Sequence, residues 1–250
     1  RTHRGGDTIH VDAVPRRVAG GRGQDDIIAS GIGRSDRQAA NPLVINLRQR
    51  RMHRAGTTAK VSGFEHITGA ESVPNTVVGT DTRERVVGGC RADTIRTRGG
   101  QDSAFPNAGN DDVRMARGND RIDETAMSAQ CRGAADDDLF DAGPGTDRLR
   151  LDRWGSSASD VVVNLTAGTS NSSGTDELVG LENVLGGNHD AEKIIGDDGP
   201  NDLDGGRSSG DDVHGMGSDD VLRARGATGS ADGGDGTDTC QAATTVNCER

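Results

Sequence analysis

An all-β fold built from nine-residue repeats is what this sequence predicts. Three observations carry that reading: acidic residues return at steps of nine, an apolar residue stands two places after each, and glycine often stands two places before. Asp93, Asp102, Asp111 and Asp120 follow at this step, and after a lapse at Ala129 the register resumes at Asp138 and Asp147. Ile95, Ala104, Val113, Ile122, Cys131, Phe140 and Leu149 hold the apolar place. Gly100, Gly109, Gly118 and Gly145 hold the glycine place, so the unit is G-x-D-x-U with U apolar. Glycine supplies the positive φ of a tight turn without steric penalty, and x-U-x is a short strand with one inward side chain.

Asn75 with Val77 and Glu84 with Val86 extend the register backwards. Gly20-Gly21-Arg22-Gly23-Gln24-Asp25-Asp26-Ile27 carries the full unit, and Gly5-Gly6-Asp7-Thr8-Ile9 lies two steps earlier. Towards the other end stand Asp211 with Val213, Asp220 with Leu222, and Gly233-Gly234-Asp235-Gly236-Thr237-Asp238-Thr239-Cys240. Asp219 and Asp220 compete for one acidic place, because Gly215-Met216-Gly217-Ser218 fits a register one residue earlier.

A longer repeat lies over the short one. Val77-Val78-Gly79 answers Ile194-Ile195-Gly196 at an offset of 117, and Phe64-Glu65 answers Leu181-Glu182 at the same offset. Leu43-Val44-Ile45-Asn46-Leu47 answers Val161-Val162-Val163-Asn164-Leu165 one residue out of step. The chain therefore reads as one elongated body of two tandem modules, with repeats over 1–36, 75–151 and 192–240. Irregular strand-rich inserts occupy 37–74 and 152–191, and a tail occupies 241–250.

Composition narrows the function. Of 250 residues only 31% are hydrophobic and 2% aromatic, and the charge is 29 − 40 = −11. Such a chain is either disordered or uses its carboxylates as ligands, and the regular spacing favours ligands. A net-negative chain without Tyr lacks the footprint of a nucleic-acid binder. No apolar run is long enough to span a bilayer, and no signal peptide is visible after Arg1, so the sequence reads as a fragment or processed product. His3, His10, His53, His66, His189 and His214 are scattered and form no zinc-peptidase pattern. No G-x-S-x-G elbow is present, and Phe64, Phe105, Phe140 and Trp154 are too few for a sugar-stacking cleft. The chain is not expected to be an enzyme.

One buried apolar side chain per nine residues does not offset the entropy of ordering nine residues. Calcium is the natural supplement, since it takes six to eight hard oxygens from carboxylates and turn carbonyls. Binding and folding then become one event.

The unit matches G-G-x-G-x-D-x-U-x, and the chain resembles the hemolysin-type (RTX) calcium-binding repeat proteins over most of its length. The inserts share the resemblance through Val161–Leu165, Gly180-Leu181-Glu182-Asn183-Val184 and Ile194-Ile195-Gly196-Asp197-Asp198. It implies a right-handed parallel β-roll or β-helix, a β-solenoid with two nonapeptides per coil, exported to the extracellular space and folded there by several calcium ions. The implied ligands are Asp7, Asp25, Asp93, Asp102, Asp111, Asp120, Asp138, Asp147, Asp211, Asp219 or Asp220, and Asp238. Ligands eighteen residues apart then stack in columns: Asn75, Asp93, Asp111, Ala129 and Asp147 on one edge, Glu84, Asp102, Asp120 and Asp138 on the other. Asp120 accordingly has acidic neighbours on both sides and Asp147 does not. Arg98, Asn107, Ala116 and Ala134 stand where a strict repeat has glycine, which lowers the expected number of sites. Rival readings are a β-helix polysaccharide lyase or epimerase, and an adhesive module with a glycan or cell-surface partner.

The family usually avoids cysteine, and four are present here. Cys240 and Cys248 stand close enough for a local disulfide. Cys131 reads as a core side chain and Cys90 as a turn residue, so these two are not expected to bond.

Overall fold

The structure is a computed structural model that describes residues 5–29, 41–124, 131, 136–151, 161–172, 174–187, 191–207 and 209–249. Ala129, Ala134, Trp154, His3, His189 and Arg1 lie outside the described residues. No α-helix occurs among the described residues, and none is long and apolar enough to cross a membrane. The chain alternates between two sheets of mostly parallel strands, as the strict return of the U position demands.

Among the described residues the first sheet has eleven strands: Thr8–His10, Asp26–Ile28, His66–Thr68, Arg85–Val87, Ser103–Phe105, Arg121–Asp123, Arg148–Arg150, Asn183–Leu185, Asp202–Asp204, Val221–Ala224 and Thr239–Ala242. They follow one another in sequence order, every pair parallel. Intact repeats pair eighteen residues apart, as in Ser103 with Arg121 and Thr94 with Asp112, so two nonapeptides separate equivalent strands.

Each strand turns its central U residue inward. Ile67, Val86, Ala104, Ile122, Leu149, Val184, Leu203 and Leu222 occupy successive register positions and are all buried. Opposite them Val77, Ile95, Val113, Phe140 and Leu178 form the equivalent file in the second sheet. The interior is one side chain wide on each face, and its largest fully buried member is Phe140.

Among the described residues the second sheet has fifteen strands and includes two antiparallel excursions. In the first, Leu43–Asn46, Arg51–Arg54 and Thr57–Ser62 run antiparallel. In the second, Val161–Asn164, Thr169–Ser170 and Asp176–Val179 do the same. The topology is identical. The last strand of each excursion pairs in parallel with the preceding coil, through Arg17–Ala19 and Leu139–Asp141. The first strand pairs in parallel with the following coil, through Asn75–Val78 and Glu192–Ile195. Even the tight turns agree: Asn46 Oδ1 accepts the Gln49 N–H at 2.8 Å, and Asn164 Oδ1 accepts the Ala167 N–H at 2.8 Å. A short polar side chain bonding to nearby backbone is what favours a turn there.

The lapse at Ala129 is resolved differently from the sequence expectation. Asp112 pairs with Leu139 and Arg121 with Arg148, offsets of 27 where an intact coil gives 18. One nonapeptide is passed over by both sheets. Cys131 consequently leaves the U register, and it is joined to Cys90 by a disulfide, contrary to the expectation. The Cys240–Cys248 disulfide is formed, and no cysteine is free.

Candidate functional site

The acidic position of the repeat is the residue just before each strand, and its side chain turns back under its own turn. Two hydrogen bonds fix it there. The backbone N–H of one acidic residue donates to Oδ1 of the equivalent residue a coil later: Asp7 to Asp25 at 2.8 Å, Glu84 to Asp102 at 2.7 Å, Asp102 to Asp120 at 2.7 Å and Asp120 to Asp147 at 2.6 Å. Its backbone carbonyl accepts the N–H of the next residue along on that later coil, as in Arg121 to Asp102 and Arg148 to Asp120. This column continues through Glu182, which accepts the Asp147 N–H, and reappears as Asn201, Asp220, Asp238 and Glu249.

On the opposite edge Asn75 donates to Asp93 at 2.6 Å, Asp93 to Asp111 at 2.6 Å, Asp111 to Asp138 at 2.7 Å and Asp138 to Asp176 at 3.2 Å. Asp211 accepts the Glu192 N–H at 3.1 Å in the same manner. The expected column membership is therefore corrected. Because an odd nonapeptide is passed over, Asp138 follows Asp111 and Asp147 follows Asp120, the reverse of the even-count assignment.

These carboxylates are removed from water. Asp25, Asp93, Asp102, Asp111, Asp120, Asp138, Asp147, Asp211, Asp220 and Asp238 are all buried, whereas Asp7 in the first described coil is half-buried. Asp219 is exposed and caps the Thr237 N–H at 2.9 Å, so Asp220 alone holds the acidic place there. Oδ1 is satisfied throughout; the second oxygen separates one residue from another. In Asp93 it accepts the Gly89 N–H at 2.5 Å. In Asp25, Asp102, Asp111, Asp120, Asp147, Asp176, Asp220 and Asp238, and at Oε2 of Glu84, it has no hydrogen-bond donor among the described residues. A buried oxygen in that condition is costly, and a whole file of them requires a reason.

Electrostatics agree. Burial pushes Asp111 up to about 10, aided by the facing Asp93 and Asp138 carboxylates. Burial likewise raises Asp93, Asp138 and Asp147 to about 7, and Asp120, Asp176 and Asp220 to about 6. Backbone donors oppose the shift in each case but do not cancel it.

The glycines complete the cradle. A Cβ added at Gly118 would overlap the Gly100 carbonyl oxygen and lie 2.7 Å from Asp120 Oδ1; at Gly145 it would overlap the Gly118 carbonyl and lie 2.9 Å from Asp147 Oδ1. At Gly20 it would meet the Gly63 carbonyl and the Asp25 carboxylate. Carbonyl and carboxylate oxygens thus border the same small spaces. At two of the places where the repeat lacks glycine the backbone still takes the left-handed conformation, with φ of 77° at Asn107 and 71° at Ala116. That conformation costs a non-glycine residue roughly 1–2 kcal/mol. Among the described residues no three His, Cys, Asp or Glu side chains converge as a ligand set, so a cation here would draw on one or two carboxylates plus backbone oxygens. The donors bordering these glycines are hard oxygens, which fits calcium or magnesium better than a transition metal.

Glu65, Glu182 and Asp176 are members that the sequence reading did not assign. The 117-residue repeat already paired Glu65 with Glu182, and both prove to accept a column N–H, from Asp25 at 2.9 Å and from Asp147 at 2.7 Å. Asp176 carried no such signal, because it enters from the antiparallel excursion.

The outer faces carry a different chemistry. Asp123 is ion-paired with Arg121 and with Arg150, and Asp112 with Arg96, at 3.1 Å, and Arg114. Asp212 collects Lys193, His214 and Ser230 at 2.7, 2.9 and 2.8 Å. Partial burial works against its charge, but these three donors hold the carboxyl well below the usual range. A carboxylate so saturated is a cross-strand pin and a poor proton acceptor. No protein-family model matches this chain, and no curated protein matches it.

Proposed function

We propose that the chain is a non-enzymatic calcium-binding module of the RTX repeat type. It is a β-solenoid, right-handed by that resemblance, whose coils close on calcium ions in the extracellular space. The observation that carries this reading is the file of buried carboxylate oxygens without donors; at Gly215 and Gly233 such an oxygen, from Asp220 and Asp238, lies with a backbone carbonyl against the glycine. Such a carboxylate must be neutralised by a proton or a cation, and in millimolar calcium the cation is the better competitor at neutral pH. The paired cysteines support an oxidising location outside the cell.

The test is to titrate calcium into chelator-treated protein at pH 7.5, following far-ultraviolet circular dichroism and binding heat together. Several ions should bind, with β-structure appearing over the same calcium range. A chain that is fully structured and thermally unchanged by calcium would overturn the reading and leave the columns as turn-capping ladders only.

A further inference from the structure

Where the repeat block meets the second excursion, two carboxylates from different elements share an enclosed space. Glu124 stands at the point where the chain leaves the strand Arg121–Asp123, and Asp176 opens the strand Asp176–Val179. They are 8% and 1% exposed. Between them lies a pair of serines: Ser172 Oγ donates to Glu124 Oε2 at 2.5 Å, and Ser170 Oγ lies 2.8 Å from Ser172 Oγ. Ser170 is itself buried and is the cross-strand register partner of Asp176. Glu124 Oε1 and Asp176 Oδ2 have no hydrogen-bond donor among the described residues. The adjacent cations Arg121 and Arg150 are engaged by Asp123.

We propose that Glu124 and Asp176, with the Ser170 and Ser172 hydroxyls, form a calcium site distinct from the nonapeptide units, tying the first repeat block to the second excursion. Two carboxylates and two hydroxyls supply only hard oxygens, and their joint charge of −2 matches a divalent cation. Backbone carbonyls and water complete the shell that calcium requires. Asp138, whose N–H donates to Asp176 Oδ1, keeps Asp176 oriented. Asp176 also ends the Asp138 file, whereas Glu124, Ser170 and Ser172 belong to neither file, so substitutions at those three separate this site from the columns.

Equilibrium dialysis with radioactive calcium on the full chain tests the proposal, using Glu124→Gln, the double variant Ser170→Ala/Ser172→Ala, and Asp102→Asn as a column control. At calcium levels that saturate the wild type, Glu124→Gln should bind one ion fewer per chain. The serine variant should hold that ion at least tenfold more weakly. Unchanged stoichiometry and affinity in Glu124→Gln would overturn the proposal, and if that variant does not fold, unchanged binding in the serine variant would do so. Loss of an ion in Glu124→Gln but none in Asp102→Asn upholds this site while removing the column reading. The converse result removes this site and leaves the columns standing.

Discussion

At the residue scale the column geometry changes what a single substitution should do. Even counting of nonapeptides gives Asp120 acidic neighbours on both sides and sets Asp147 beside Ala129, whereas in the structure Asp120 lies between Asp102 and Asp147, and Asp147 between Asp120 and Glu182. Asp120→Asn and Asp147→Asn should therefore weaken calcium-coupled folding about equally, each by roughly tenfold in the midpoint, the loss of about one charged contact. A titration in which only Asp120→Asn shifts would restore the even-count columns. A second expectation concerns pH. The folded carboxyls sit at about 6 for Asp120 and Asp220, about 7 for Asp93, Asp138 and Asp147, and about 10 for Asp111, all above an unfolded carboxyl near 3.8. The folded chain then binds more protons than the unfolded one, so stability is fully present below about pH 4 and is lost as pH rises through those folded values. Melting in chelator should occur at lower temperature at pH 8 than at pH 5, and saturating calcium should raise the pH 8 value most.

At the element scale the glycines divide into two kinds. Gly118 has a φ of 154° and no space for a Cβ against the Gly100 carbonyl, whereas Gly56 has a φ of 82° and open space around it. Gly118→Ala should destabilise by about 2–4 kcal/mol, and Gly56→Ala by about 1 kcal/mol from backbone conformation alone, measured by urea unfolding in calcium. Equal effects would mean that coil-to-coil contact at Gly118 is slack. The nine-residue step made the strands legible, since a U residue every nine positions names nearly every inward side chain, Ile95, Val113 and Phe140 among them. The excursions were legible only as strand-rich stretches. Their antiparallel pairing depends on partners such as Val44 with His53, which no short-range pattern encodes. Asp219 and Asp220 could not be separated in sequence because both fit a register; burial separates them, since only one can turn beneath its coil. Glu124 and Ser172 were invisible for a further reason: they meet across 48 residues and belong to no repeat.

At the scale of the whole molecule, two disulfides hold very different lengths of chain. Cys90–Cys131 spans 41 residues and ends inside the nonapeptide that the sheets pass over, while Cys240–Cys248 spans 8. On the chain-entropy estimate the first stabilises by about 4 kcal/mol and the second by about 2.5 kcal/mol. Cys90→Ser/Cys131→Ser should therefore lower the denaturation midpoint more than Cys240→Ser/Cys248→Ser, by equilibrium unfolding at fixed calcium. The reverse order would show that sealing the final coil, where Glu249 bonds both the N–H and the carbonyl of Asp238, outweighs loop length.

The passed-over nonapeptide has one more consequence, and it concerns parity. Because successive units alternate between two edges, an omission of one unit exchanges the edges for everything downstream, and an omission of two restores them. The chain can lengthen or shorten in unit steps without breaking either file, yet each odd step relabels which aspartates are neighbours. A protein of this design thus keeps both files through changes in its length, while the pairing of its buried carboxylates is re-dealt by them.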